Sequence, residues 1–483
     1  MTSLIHIEQL RLKFPGAEKR LFTDVSLSIK KGEKVLLLGP SGCGKSTLLQ
    51  VMAGIIPRSI DVPMKAKALH IPKQVGYVFQ DPDAQFCMPY VDEEMAFVLE
   101  NLGVPRAEMK EKIERVLQRV RLRLPHVHVP IQTLSGGMKQ RLAIASVLAL
   151  DPDVLFLDEP TALLDEEGTK AVWETLKEVA DDRTVVIVEH KIDHILDFVE
   201  RIILFNEHGE IIADGSTNEI FSTYRSFITE QGIWHPDVWK AYEKPKTAQQ
   251  PYEEGDVLLH VQSLRGFRQK EEKIAVDELT IYAGEWIAIT GENGAGKSTL
   301  LQSFMKLIRT EGDMYWRGEL VKNDGVLYDN IAFVFQNPEF QFVTNRVDDE
   351  LAYCLRLEKR SEYEIEEEVE RLLRRFHLSA QRHLHPYQLS MGQKRRLSVA
   401  ASVTERHRIL LLDEPTFGQD AKNTFALLEW LEAYRQQGKT IVMVTHDEHI
   451  VSEFATRRWG IENGKLVADE IIAPRMLVRG GMR

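Results

Sequence analysis

The 483 residues carry 61 Lys and Arg against 73 Asp and Glu, a net charge of −12, with 43% hydrophobic and 28% charged residues. Those proportions describe a folded chain too long for one core, and the negative balance repels nucleic acid and anionic lipid. No run approaches the roughly 20 apolar residues of a membrane span, and three scattered cysteines, Cys43, Cys87 and Cys354, exclude a disulfide framework or a zinc site.

In chain order, residues 1–6 lack a basic stretch followed by an apolar core, so export is not expected. The apolar run 35–38 predicts a strand. It leads into Gly39-Pro40-Ser41-Gly42-Cys43-Gly44-Lys45-Ser46-Thr47 and then a helix-like run at 48–52. Strand, glycine loop and helix in that order make a phosphate-binding loop: glycines let successive N–H groups face phosphate oxygens, and the helix N-terminus adds partial positive charge. Lys45 is expected to reach the β- and γ-phosphates and the Ser46 hydroxyl to complete a magnesium shell. The Cys43 side chain is expected to point away from the nucleotide.

Further along, Phe79-Gln80-Asp81-Pro82-Asp83-Ala84-Gln85-Phe86 precedes an acidic patch at Asp92-Glu93-Glu94. Leu134-Ser135-Gly136-Gly137-Met138-Lys139-Gln140-Arg141 reads as a serine-capped helix start with donors free to meet an anion. An apolar run at 154–157 ends in Asp158-Glu159, another at 185–188 comes shortly before His190, and 201–212 reads as a hairpin. Phe227, Ile228, Ile233, Trp234 and Trp239 are too apolar for a linker and are expected to pack against the first domain. The polar, proline-bounded stretch beyond them predicts a linker over 241–256.

The same landmarks then return in the same order. Gly291-Glu292-Asn293-Gly294-Ala295-Gly296-Lys297-Ser298-Thr299 follows an apolar run, and Gln336, Ser390, Asp413-Glu414 and His446 follow at nearly constant spacing. The chain is therefore two copies of one domain, over 1–240 and 257–483. Continuous aliphatic runs separated by helical segments predict an α/β fold, a mainly parallel sheet flanked by helices, with function at the carboxyl ends of the strands.

The glycine loop, the Ser-Gly helix cap and the Asp-Glu strand end, in this order and twice, resemble the ATP-binding-cassette ATPases over nearly the whole chain. The resemblance implies two tandem P-loop domains, each with an inserted helical subdomain carrying the serine motif. It implies ATP and Mg2+ as cofactors: Ser46, Gln80 and Asp158, and likewise Ser298, Gln336 and Asp413, at the metal; Glu159 and Glu414 polarising water; His190 and His446 reaching the γ-phosphate. Gly39, Ser41, Gly42, Gly44, Lys45, Ser46 and Thr47 in one copy, and Gly291, Asn293, Gly294, Gly296, Lys297, Ser298 and Thr299 in the other, would cradle the phosphates. Phe14 and Phe267 lie where that family stacks an aromatic on adenine. The family pairs its cassettes head to tail, so Ser390 and Gly392 would complete the Lys45 site and Ser135 and Gly137 the Lys297 site, with Asp165 and Asp420 at the contact. Met391 in place of the first signature glycine, and Met138 in place of glutamine, predict two competent but unequal sites.

The second glutamine, Gln85 or Gln341, and the acidic run after it resemble the energy-coupling-factor importers of vitamins and metal ions. Two fused cassettes resemble, in particular, the ATP-binding subunits for thiamine or its hydroxymethylpyrimidine precursor. Partners implied are a membrane-embedded scaffold subunit and a substrate-binding subunit, with the chain on the cytoplasmic face of the membrane and arginines of the partner meeting the acidic run. Double-cassette factors acting on ribosomes or DNA are the rival from another class, but they carry a long charged arm and basic surfaces. Fused sugar-importer ATPases usually have one degraded half, against which both Glu159 and Glu414 argue.

Overall fold

The computed structural model describes residues 3–17, 19–162, 164, 166–180, 182–189, 191–242 and 255–472. His190, Asp165 and most of the expected linker lie outside them. Two compact units emerge, Met1–Val238 with Asp420–Lys422, and Trp239–Gln419 with Asn423–Arg483.

In the first unit the aliphatic runs at Lys34–Leu38, Val75–Val78, Val154–Asp158, Thr184–Val188 and Arg201–Phe205 form a parallel sheet, and Ile211–Ser216 adds one antiparallel edge strand. Strands Lys34–Leu38, Val154–Asp158 and Thr184–Val188 are buried nearly throughout, which is why they are aliphatic at consecutive rather than alternate positions. A second, antiparallel sheet contains Ser3–Leu12 and Phe22–Lys30, where buried and exposed residues partly alternate. Between strands Val75–Val78 and Val154–Asp158 the chain leaves the sheet for helices Val91–Asn101, Arg106–Arg119 and Gly136–Leu148, the inserted helical region that carries the serine motif.

The second unit repeats this order, with helices Val347–Leu357, Glu362–Arg375 and Met391–Ser402 inserted between Ile331–Val334 and Ile409–Asp413. Here the parallel and antiparallel parts join into one ten-stranded sheet through the pairing of Ala275 with Lys465. Its closing hairpin, Arg457–Glu462 to Lys465–Ile471, turns on Asn463 (φ 48°) and Gly464 (φ 76°), the positive φ pair that such a turn requires.

Ile228 and Ile233 are buried in the first unit's core, with Phe227 packed against it. Trp239 departs from the expectation. Its indole stacks on His449 with ring centroids 5.1 Å apart and meets Phe425 edge-on at 4.9 Å, so it belongs to the second unit. An apolar residue beside a linker can serve either flank, and composition does not say which.

Candidate functional site

Each glycine loop leaves the carboxyl end of a buried strand and runs directly into a helix, Lys45–Met52 or Lys297–Phe304. The residue before each helix, Gly44 (φ 99°) or Gly296 (φ 106°), has left-handed backbone, and a Cβ there would come within 2.9 Å of Phe22 or 2.6 Å of the Lys273 carbonyl oxygen. Only glycine satisfies both constraints. With no side chain capping the first turn of either helix, its N–H groups are presented to the loop.

Inside the loops the lysines are buried and held in place. Lys45 Nζ donates to the carbonyl oxygens of Gly39 (2.8 Å) and Pro40 (2.9 Å), and Lys297 Nζ to those of Gly291 (2.7 Å) and Glu292 (2.8 Å). Cys43 is buried behind the loop, where burial pushes its thiol up and keeps it protonated, as expected of a packing residue.

The parallel strands bring distant residues to these loops. The Ser46 hydroxyl donates to Asp158 Oδ1 at 2.7 Å and Ser298 to Asp413 Oδ1 at 3.0 Å. Gln80 Nε2 donates to Glu159 Oε2 at 2.8 Å and Gln336 Nε2 to Glu414 Oε2 at 3.1 Å; His446 Nε2 lies 3.2 Å from Glu414 Oε1. Glu159 (φ 48°) and Glu414 (φ 49°) both hold left-handed backbone, a strained conformation that carboxylates at chemical centres often keep. Hydroxyl, carboxylate and amide oxygen form a small set of hard donors, which fits Mg2+, an ion that takes few protein ligands and fills its shell with phosphate and water.

Burial raises the Asp158 carboxyl above its ordinary range and Asp413 further, to about 6. Burial would also raise Glu414, but the adjacent His446 imidazole, with Lys297 and Gln336 nearby, holds it below the ordinary value.

Ser135 and Ser390 cap their helices as expected, accepting from the backbone N–H of Met138 (3.3 Å) and Gln393 (3.4 Å). The Gln393 side chain also reaches back to the Ser390 N–H at 2.9 Å, closing a reciprocal cap that Met138 cannot make. Gly137 and Gly392 sit in the first turn, and a Cβ at Gly392 would meet nothing within 4 Å. Phe14 is exposed in the loop after Ser3–Leu12, whereas Phe267 is half-buried in strand Val257–Arg268, one ring face covered by the Arg309 guanidinium at 4.8 Å.

Two residues, Tyr77 and Arg395, escaped the sequence reading. Tyr77 donates its buried hydroxyl to Asp158 Oδ2 at 2.7 Å; a single phenol in an apolar strand was its only signal. Buried Arg395 donates to the backbone carbonyl of Gln336, its guanidinium brought down to about 10 by burial. Gln85 and Gln341 tie the segment after each first glutamine to the capped helix, through Ala143 O (2.9 Å) and Ser398 O (2.8 Å). Within the acidic run, Glu94 and Glu350 are buried acceptors of backbone N–H groups, from Cys87 and Met88 and from Val343 and Thr344. They stabilise the helix entry and do not face outward.

Twin glycine loops, each with a serine–aspartate and a glutamine–glutamate pair at strand ends, define a P-loop nucleotide-binding protein with two domains. The family model described as ABC transporter matches residues 22–162 and 275–417. A protein of Bacillus subtilis (strain 168), provisionally named HMP/thiamine import ATP-binding protein YkoD, is 37% identical over 491 residues, covering 94% of this chain and 88% of its own. A provisionally named ABC transporter ATP-binding protein of Streptococcus pneumoniae is 34% identical over 535 residues, covering 100% and 94%. The solved structure of cbiO1 from Clostridium perfringens, part of the ABC transporter complex cbiONQ, is 27% identical with a TM-score of 0.40, covering 45% of this chain and 89% of that one. The chain belongs to the ABC transporter family as an ATP-binding protein with two cassettes, and its activity is ATP hydrolysis.

Proposed function

We propose that the chain is the energy-coupling subunit of a membrane importer of the energy-coupling-factor type, hydrolysing ATP to drive uptake of a vitamin, a vitamin precursor or a metal ion. The observation that carries the catalytic part is the repetition, in both cassettes, of serine on aspartate and glutamine on glutamate beside a buried lysine. The name borne by the Bacillus relative supports import of thiamine or hydroxymethylpyrimidine as the first cargo to try.

In this reading Lys45 and Lys297 hold the β- and γ-phosphates, and the loop N–H groups cradle them. Ser46, Gln80 and Asp158, or Ser298, Gln336 and Asp413, would hold Mg2+, the aspartates through water, and the ion would neutralise charge at the phosphate oxygens. Glu159 and Glu414 orient the attacking water, and His190 and His446 donate to the transferring oxygens. Phe14 and Phe267 flank the adenine. Head-to-tail pairing of the cassettes places Ser390 and Gly392 against the Lys45 site and Ser135 and Gly137 against the Lys297 site, with Asp165 and Asp420 in the contact.

Among the described residues no helix is long and apolar enough to cross a membrane, so the membrane part falls to partner subunits, a scaffold and a substrate binder, with this chain peripheral on the cytoplasmic face. Exposed Glu93 is the carboxylate of this run offered to basic residues of the scaffold, whereas Asp92 lies against His128 and Asp349 is paired with Arg356. Affinity purification of the chain from membranes tests this: recovery of hydrophobic subunits supports it, and recovery of ribosomes or DNA in their place contradicts it.

A further inference from the structure

The two cassettes hold their aspartates differently. Asp158 is fixed at both oxygens, by Ser46 on Oδ1 and by the Tyr77 hydroxyl on Oδ2, each at 2.7 Å. Tyr77 is buried in the strand next to Val154–Asp158, paired with Phe156, so its position is set by the sheet and not by a mobile loop. The corresponding strand of the second cassette, Ile331–Val334, carries Phe333 at this place, two residues before Phe335-Gln336 as Tyr77 is two before Phe79-Gln80. A phenyl ring donates nothing, and among the described residues the Asp413 carboxylate accepts a hydrogen bond from Ser298 alone, at 3.0 Å.

We propose that Tyr77 is a positioning residue of the first cassette, fixing the Asp158 carboxylate in the orientation in which it would hold Mg2+ through water, and that the second cassette lacks this device. The inference rests on the assignment of Asp158 to the metal made above. A hydrogen bond to the far oxygen restricts the rotation of a carboxylate that orients metal-bound water, and losing an outer partner of a metal site typically weakens metal binding about 10–100-fold. The first site is therefore the one that binds Mg2+–ATP at lower free Mg2+.

The test uses the full chain carrying Lys297→Ala, which confines high-affinity nucleotide binding to the first site, and follows a fluorescent ATP analogue while free Mg2+ is raised. Tyr77→Phe, which reproduces the second cassette's residue, is expected to raise the Mg2+ midpoint about tenfold while leaving analogue affinity in EDTA unchanged. An unchanged midpoint overturns the inference. So does an equal loss of affinity in EDTA, since that marks a loosened pocket and not a displaced carboxylate. Absence of any Mg2+-dependent binding in the Lys297→Ala parent would overturn the assignment of Asp158 and this inference with it.

Discussion

His446 Nε2 lies 3.2 Å from Glu414 Oε1, while Gln336 donates to the other oxygen of the same carboxylate at 3.1 Å. A carboxylate held between two such groups, on strained backbone, is oriented before any substrate arrives. Glu414→Gln keeps the shape and removes the charge proposed above to orient the attacking water. Steady-state phosphate release should fall in Glu414→Gln and in Glu159→Gln, each altered site losing roughly 10²-fold or more of its own rate. The two variants should differ in the activity that remains, because Asp158 and Asp413 are held differently. Full activity in either variant removes the role assigned to that residue.

Ionised Asp413 lowers the stability of the folded chain. Burial raises its carboxyl in the folded chain to about 6, above the ordinary aspartate value of 3.8. Between those values the folded chain binds the proton and the unfolded chain does not, so stability falls as pH rises through that window and stays lowered above it. Asp413→Asn, neutral at every pH, should therefore stabilise the ligand-free chain at pH 8 by about 1–3 kcal/mol and have little effect near pH 4. Denaturant unfolding at the two pH values reads this directly; destabilisation at pH 8 would contradict it.

The reciprocal cap of helix Met391–Ser402 gives a third expectation. Gln393→Met copies the first cassette and removes the 2.9 Å bond to the Ser390 N–H. The second cassette should lose about 0.5–1.5 kcal/mol, a drop of about 2–4 °C per kcal/mol in its melting transition by calorimetry. An unchanged transition would mean that water replaces the glutamine at no cost.

The parallel strands, the glycine loops and the capped helices were legible because each rests on a local rule: consecutive aliphatic residues for a strand buried on both faces, glycine where φ is positive, serine where a first turn needs an acceptor. The pairing of Ser46 with Asp158 was legible only through the resemblance, since strand order and not spacing brings residues 112 positions apart into contact. Tyr77 escaped because a polar group in an apolar run looks the same in sequence whether it is satisfied by a neighbour or aimed at a centre, and Arg395 because one buried arginine within Lys394-Arg395-Arg396 looks like its solvated neighbours. Glu94 and Glu350 misled in the opposite sense: an acidic helix start reads as a docking face, yet both carboxylates fold back onto backbone N–H groups. Trp239 was assigned to the wrong flank for want of any local rule that chooses between two hydrophobic surfaces.

Cross-cassette completion of the sites is tested most directly in the Glu414→Gln background, where the hydrolysis that remains runs at the Lys45 set. Adding Ser390→Arg should lower that remainder roughly 10²-fold, the scale expected for losing a donor to the transferring phosphate, while Ser135→Arg should leave it nearly unchanged. The reverse ranking, or indifference to both, would contradict the account.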